Sequence, residues 1–153
     1  MPNVGTKPNI LKASARLKKT LMSAGTVEQY PAHHRLFDVD EANIGVYLVA
    51  KGKVCLSVKD CPQFDRIFNS GSLLGVPATF TGHPYSLAAT AITKAEVVHV
   101  DRQKFLDVMT NEPELCREAT NMLCREVSFI QAALAECRRA KHDHTSDRVP
   151  TSL

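Results

Sequence analysis

The sequence predicts a mainly β domain, a small barrel or sandwich, that is flanked by helices and followed by a long C-terminal helix. Three observations lead to this prediction. Short alternating apolar segments lie between residues 46 and 100, turn residues separate these segments, and helical periodicity both precedes and follows them. The chain of 153 residues has room for one domain with a full hydrophobic core.

The first predicted elements are a flexible tail and a helix. Residues 1–9 contain two prolines and a glycine, which is typical of a mobile terminus. From Ile10 to Ala24 apolar residues recur at helical spacing between lysines, and Gly25 ends the pattern. The segments 46–49 and 53–59 on the two sides of Gly52 then predict a β-hairpin. Further strands are predicted at 66–68, 87–92 and 96–100.

Helical periodicity returns after Val100. Asp101 is a candidate N-cap of a short helix, and Pro113 lies in the first turn of a long helix predicted over 114–139. Residues 142–153 are rich in His, Asp, Ser and Thr and are predicted to form a second flexible tail. One folded domain therefore spans residues 10–141.

The long helix carries two apolar stripes. One has the three- and four-residue spacing of a coiled-coil seam, and it consists of Cys116, Thr120, Leu123, Val127, Ile130, Leu134 and Cys137. The other consists of Leu115, Ala119, Met122, Phe129 and Ala133. One stripe is sufficient to pack the helix on its own domain, so the seam predicts a homodimer through residues 120–134. The alternative is one wide face buried within a single core.

Composition restricts the classes of function. The net charge of +3 is mild and does not form the basic stripe of a stand-alone nucleic-acid binder. There is no apolar run of membrane-spanning length and no secretory signal, so we expect a cytoplasmic location and no membrane partner. The five cysteines form no CxxC pair and are expected to be reduced and mostly buried. A redox role for the two seam cysteines is the alternative.

Several segments, taken in order, resemble the cyclic-nucleotide-binding domain of Crp/Fnr-type regulators. Gly45–Val49 and the preceding Leu36-Phe37 are similar to its opening strands, Gly71–Gly75 to the entry of its phosphate-binding cassette, and Ala89–Ala91 to the strand that leaves the cassette. The resemblance spans residues 17–136. It implies a double-stranded β-helix, or jelly-roll barrel, with a long C-terminal dimerisation helix, and the function of a non-enzymatic small-molecule sensor.

The chain departs from this family at the two positions that bind the nucleotide. Nucleotide-binding members have a glutamate after the cassette glycine, where this chain has Val76. They have an arginine at the position of Tyr85 or Ser86, where it pairs with the cyclic phosphate. Losing such a contact costs about 2–5 kcal/mol. We therefore expect that cyclic AMP is not bound in the family's usual way.

What remains of the cassette is a candidate site for another small ligand. Its backbone amides could bind an anion, and its hydroxyl groups lie among apolar residues. The candidate ligand-binding residues are Gly75, Val76, Pro77, Ala78, Tyr85, Ser86 and Thr90. A pocket filled by its own side chains is the alternative. No cofactor and no metal is predicted, and the family's C-terminal helix-turn-helix is absent, so we expect no direct DNA binding by this chain alone.

Several other functions are alternatives to the sensor. The first is a genuine cyclic-nucleotide-binding domain of a transcription regulator with an unorthodox site. The second is a cupin-type metal enzyme, but the adjacent His33 and His34 would point to opposite faces of a strand. The third is a structural or interaction module. Haem ligation by His83 or a cysteine is a further alternative. No arrangement of catalytic residues is evident, so the chain is predicted not to be an enzyme.

Overall fold

The computed structural model describes residues 8–62 and 65–148, and the side chains of residues 10–62 and 65–139. A short 3-10 helix, Pro8–Leu11, precedes the other elements. The helices are α1 (Ala15–Ala24), α2 (Val76–Thr81), α3 (Arg102–Asn111) and α4 (Pro113–Arg148). The strands are β1 (Thr26–Tyr30), β2 (Arg35–Phe37), β3 (Gly45–Lys51), β4 (Val54–Ser57), β5 (Arg66–Phe68), β6 (Leu73–Leu74), β7 (Ala88–Ala91) and β8 (Ala95–Asp101).

The strands form two four-stranded antiparallel sheets. One has the strand order β1-β8-β3-β6 and the other the order β2-β7-β4-β5. Apolar side chains of both sheets belong to one hydrophobic core, which also includes residues of α1, α3 and α4. This arrangement confirms the predicted jelly-roll fold with flanking helices and a long C-terminal helix.

The predicted hairpin around Gly52 is wrong, although both of its strands exist. β3 pairs with β6 and β8, whereas β4 pairs with β5 and β7, so the two consecutive strands belong to different sheets. Gly52 has a φ of 92°, and a Cβ there would lie 2.5 Å from the Lys94 carbonyl oxygen. A glycine turn between two alternating segments is therefore compatible with a crossing between sheets as well as with a hairpin.

The helix boundaries differ from the prediction at both ends of the chain. α1 begins at Ala15 rather than Ile10, because Ser14 caps it by accepting a hydrogen bond from the Leu17 amide. α4 extends to Arg148, beyond the predicted end at Arg139. Residues 1–7 and 149–153 of the predicted tails lie outside the described residues, and the predicted domain limits stay predictions.

α4 packs on the rest of the domain mainly through one of its two stripes, of which Leu115, Ala119, Met122 and Ala133 are buried. Of the seam, Thr120 and Leu134 are exposed, whereas Cys116, Leu123 and Ile130 are partly buried against the same core. Polar contacts with the N-terminal segment hold the start of the helix. The Ser14 amide donates to the Glu118 carboxylate at 2.6 Å, and Arg16 pairs with Glu112 and Glu114, each at 2.8 Å. Of the residues described, none lies in a helix with the length and apolarity that crossing a membrane requires.

A disulfide between Cys61 and Cys137 corrects the expectation that all cysteines are reduced. It joins the segment after β4 to α4 across 76 residues of sequence, with 6.0 Å between the two Cα atoms. Cys55, Cys116 and Cys124 are free. Cys137 is buried against its own domain, so it is not available at the surface of the seam. Cys61 belongs to no local motif, and the seam spacing of Cys137 does not indicate its partner, so only the fold brings the two cysteines together.

We predict that the disulfide contributes to stability by restricting the unfolded chain. Replacing Cys137 by serine should lower the free energy of unfolding by about 2–4 kcal/mol, measured by urea unfolding under non-reducing conditions. Cys124→Ser is the matched control, because Cys124 is exposed and free, and it should change stability by less than about 0.5 kcal/mol. Five reactive thiols in the unfolded, unreduced protein, in place of three, would contradict the assignment.

Candidate functional site

The candidate site is a small cavity between α2, α4 and the sheet that contains β2 and β4. Its wall consists of Phe37, Leu56, Gly75, Pro77, Ala78, Tyr85, Ser86, Leu87 and Glu126. The free volume is about 10 Å³, which is room for roughly one water molecule. The cassette is therefore nearly filled by the protein's own side chains.

The cassette follows β6 and contains α2, a single short helix. Gly75 is its N-cap with a φ of 88°, and a Cβ at this position would lie 3.2 Å from Tyr85 Cε1. Gly82 ends the helix with a φ of 79°. The Arg102 guanidinium donates through Nε to the Thr79 carbonyl oxygen at 2.9 Å and so satisfies a carbonyl group in the last turn of α2. The two glycines allow the tight loop, and Arg102 joins it to α3.

Tyr85 fills the space between the cassette and the sheet. Its ring stacks on Phe37 with 4.0 Å between the ring centroids and an interplanar angle of 18°. Its hydroxyl donates to the Gly45 carbonyl oxygen at 2.7 Å and accepts from the Ile44 amide at 3.2 Å. Burial raises the pKa of the Tyr85 phenol above its usual range. Only 2% of the residue is exposed, so the phenol is a neutral, fixed part of the cavity wall.

Hydrogen bonds of the main chain also hold Tyr85 in place. The Asp40 amide donates to the Tyr85 carbonyl oxygen at 2.8 Å, and the Tyr85 amide donates to the Glu41 carbonyl oxygen at 3.1 Å. Asp40 has a φ of 69°, a left-handed conformation that glycine adopts more readily than other residues. The loop after β2 therefore keeps a glycine-type turn without a glycine, and this turn positions Tyr85.

Glu126 enters the cavity from α4. It lies in the buried stripe of the helix between Met122 and Phe129, and only 3% of the residue is exposed. Its Oε1 atom is buried and has no hydrogen-bond partner among the described residues. Burial raises the pKa of the Glu126 carboxyl to about 8. A buried acceptor without a donor costs about 1–3 kcal/mol, which marks Glu126 as the least satisfied group of the cavity.

The structure brings most of the predicted ligand residues together. Gly75, Pro77, Ala78, Tyr85 and Ser86 line the cavity, and Ser86 lies at its exposed edge. Val76 and Thr90 are not part of the wall; Val76 is fully buried in the core, and Thr90 pairs within β7 with Arg35 and Cys55.

Sequence reasoning missed Phe37, Leu56 and Glu126. For Glu126 a signal was available, because position 126 has helical spacing to both Met122 and Ala133 in the buried stripe. A carboxylate at an apolar stripe position is a candidate functional group. Phe37 and Leu56 gave no such signal, since each has the pattern of an ordinary strand residue.

A metal or haem site would require suitable side chains to lie close together. Within the part of the chain that the structure describes, no group of three or more His, Cys, Asp or Glu side chains could hold a metal ion. His33 and His34 are exposed in the turn between β1 and β2, and His83 is exposed after α2. His99 approaches the Ile44 carbonyl oxygen at 3.2 Å. None of these histidines lines the cavity.

We predict that Glu126 makes stability depend on pH. Because its folded pKa lies above the usual value of 4.5, the folded state binds more protons than the unfolded state between pH 4.5 and 8. Its contribution to stability is therefore complete below pH 4.5 and decreases as the pH rises toward 8. The loss should amount to roughly 3 kcal/mol by pH 7. The difference in free energy of unfolding between wild type and Glu126→Gln, measured from pH 4.5 to 8, isolates this effect. A constant difference would contradict it.

Solved structures support the fold. The catabolite activator protein of Thermus thermophilus superposes with a TM-score of 0.66 and 21% identity over 84% of this chain and 62% of its own. The c-di-GMP-responsive regulator CLP of Xanthomonas campestris superposes with a TM-score of 0.59 and 16% identity, over 82% of this chain and 62% of its own. Oxidised CprK in complex with o-chlorophenolacetic acid superposes with a TM-score of 0.63 and 13% identity, over 84% of this chain and 54% of its own. The chain thus spans less than two thirds of the length of each.

A search of curated proteins finds no match. The sequence pattern of the cyclic nucleotide-binding domain family matches residues 27–112, which is more than half of the chain. This segment extends from β1 through the cassette to the end of α3 and includes Gly75 and Tyr85. Sequence pattern and architecture agree, and the chain belongs to the cyclic nucleotide-binding domain family, whose regulators of the Crp/Fnr type share its fold.

Proposed function

We propose that the chain is a non-enzymatic sensor domain of the Crp/Fnr type that does not bind cyclic AMP in the usual way. The observation that carries this proposal is Tyr85. Its ring occupies the cassette, stacks on Phe37 and is held by two hydrogen bonds. Of the described residues on the cavity wall, none is Lys, Arg or His, so a cyclic phosphate would meet no cationic side chain there.

The ribose contact is missing as well. Val76 takes the position of the family's glutamate and is fully buried in the core, so it offers no acceptor to a sugar hydroxyl. A carboxyl group is present in the cavity, but it comes from α4 and faces the space where an anionic ligand would lie. The family includes proteins with other effectors, since CprK is described in complex with a chlorinated aromatic acid. A non-nucleotide effector is therefore consistent with this fold.

Transmission of the signal would pass through α4. Glu126 and the cassette line the same cavity, so a molecule that binds there contacts the helix directly. A ligand shifts an equilibrium between two positions of α4 only if it binds one of them more tightly. The seam of the same helix, of which Thr120 and Leu134 are exposed and Leu123, Val127 and Ile130 are half-buried, is the surface that we propose forms a homodimer. The seam and Glu126 belong to one helix, so effector binding at the cavity would change the dimer.

Titration with cyclic nucleotides tests the ligand part of the proposal. Cyclic AMP and cyclic GMP should bind the wild-type protein with dissociation constants above about 1 mM in isothermal titration calorimetry, because the charged contacts are missing. Ser86→Arg is the matched comparison, since Ser86 lines the cavity at its exposed edge and an arginine there would supply the missing cation and tighten nucleotide binding. Binding of either nucleotide to the wild type at micromolar concentration would overturn the proposal in favour of a genuine nucleotide sensor.

Light scattering tests the dimer. The wild-type chain should elute as a dimer, and Leu134→Glu should produce a monomer, because Leu134 is exposed in the single chain and a charge there would be buried in the seam on association. Ala132→Glu is the control, since Ala132 is exposed and lies outside the seam, and it should leave the dimer intact. A dimer that persists in Leu134→Glu, or is lost equally in both variants, would contradict the seam.

A further inference from the structure

We propose that the cavity beneath α4 binds a small amine, a ligand with a flat apolar body and a nitrogen donor group that Glu126 recognises. This inference rests on the proposed function and adds the chemical class of the effector. It starts from the Oε1 atom of Glu126, which is buried in the cavity wall without a donor. Burial keeps the Glu126 carboxyl protonated up to about pH 8, and a bound ammonium group favours its ionised form. The ionised carboxylate only accepts hydrogen bonds, so its complement is an N–H donor, and an ammonium group also supplies the opposite charge.

The protein itself supplies no such donor. Among the described residues of the cavity wall, the groups beside Glu126 are apolar or aromatic, apart from Ser86 and the Tyr85 phenol. The Tyr85 hydroxyl already donates to the Gly45 carbonyl oxygen, and Ser86 is exposed. Once Glu126 is ionised, the same environment disfavours an anion, because a phosphate or carboxylate ligand would face a like charge with no cationic side chain on the cavity wall to offset it. The cavity is thus selective for donors and against anions.

The apolar part of the ligand follows from Tyr85. With only about 10 Å³ free, the cavity accommodates an organic molecule only if the Tyr85 ring leaves it. The space that would open is the shape of one aromatic ring on the face of Phe37, between Leu56 and Leu87. Tyr85 belongs to the loop after α2, whose residues His83, Pro84 and Ser86 are exposed. The Tyr85 ring therefore occupies the place that the ring of a bound ligand would take.

Benzylamine is a suitable probe, with benzyl alcohol and benzoate as its neutral and anionic counterparts. Tyr85→Ala removes the ring that fills the cavity and leaves a space of the same size. Apolar cavities of this kind bind small aromatic molecules. We expect benzylamine to bind Tyr85→Ala in calorimetry above pH 8, where Glu126 is ionised, and the Tyr85→Ala/Glu126→Met double variant to bind it about 10- to 100-fold more weakly. Benzyl alcohol should change by less than about threefold between the two variants, and benzoate should bind neither.

Equal affinity of benzylamine for the two variants, no binding to a folded Tyr85→Ala, or preferential binding of benzoate would overturn the inference. If Tyr85→Ala does not fold, thermal shifts of the wild type and Glu126→Met decide. A benzylamine-induced rise in Tm confined to the wild type supports the inference, and an equal shift or none contradicts it. If benzylamine binding fails but the chain dimerises and does not bind cyclic nucleotides, the inference about the amine is wrong and the proposed sensor function is unaffected. Binding of a cyclic nucleotide at micromolar concentration would instead contradict the proposed function itself.

Discussion

The cavity is nearly filled because of one side chain, Tyr85, whose ring, hydroxyl group and backbone all make contacts with the rest of the domain. The ring stacks on Phe37, the hydroxyl bridges Ile44 and Gly45 at the start of β3, and the backbone pairs with the loop after β2. Because these contacts lie 40 or more residues apart in sequence, they close the cassette against the sheet. Gly75 is constrained by the same ring, since a Cβ at this position would press on Tyr85 Cε1.

Different residues of α4 serve three roles: packing on the domain, forming the seam, and lining the cavity. One stripe packs on the domain, the seam is exposed only at Thr120 and Leu134, and Glu126 interrupts the packed stripe with a carboxyl group on the wall of the same cavity as Tyr85. An apolar residue at position 126 would pack the helix more stably, because burying an unpaired acid is unfavourable. Near its C-terminal part the Cys61–Cys137 disulfide binds the helix to the β4–β5 segment. A molecule that contacts Glu126 would therefore act on the part of α4 that lies between two anchors, Ser14 and Arg16 at its start and the disulfide at Cys137.

Particular residues show how far the sequence could predict this structure. Short apolar segments identified β3, β4 and β8, and the predicted N-cap Asp101 lies where α3 begins, whereas Ser14, the N-cap of α1, was not identified. The hairpin around Gly52 was wrong, because alternation describes the two faces of a strand but not the identity of its neighbours. β1 and β6 were not predicted, since β1 has exposed residues in both phases and β6 has only two residues. Glu126 was overlooked within a stripe whose spacing includes it.

By itself the sequence determined the types of element, the fold class and the chemistry that the cassette lacks. Val76 and Tyr85 cannot supply a charge to a phosphate or a ribose wherever the fold places them. The tertiary structure alone decided that Tyr85 fills the cavity, that Glu126 faces it without a partner, and that Cys61 meets Cys137. Local periodicity reports which side chains share a face within one element. Contacts across 40 or 76 residues depend instead on the order of strands in two sheets, which no local pattern encodes.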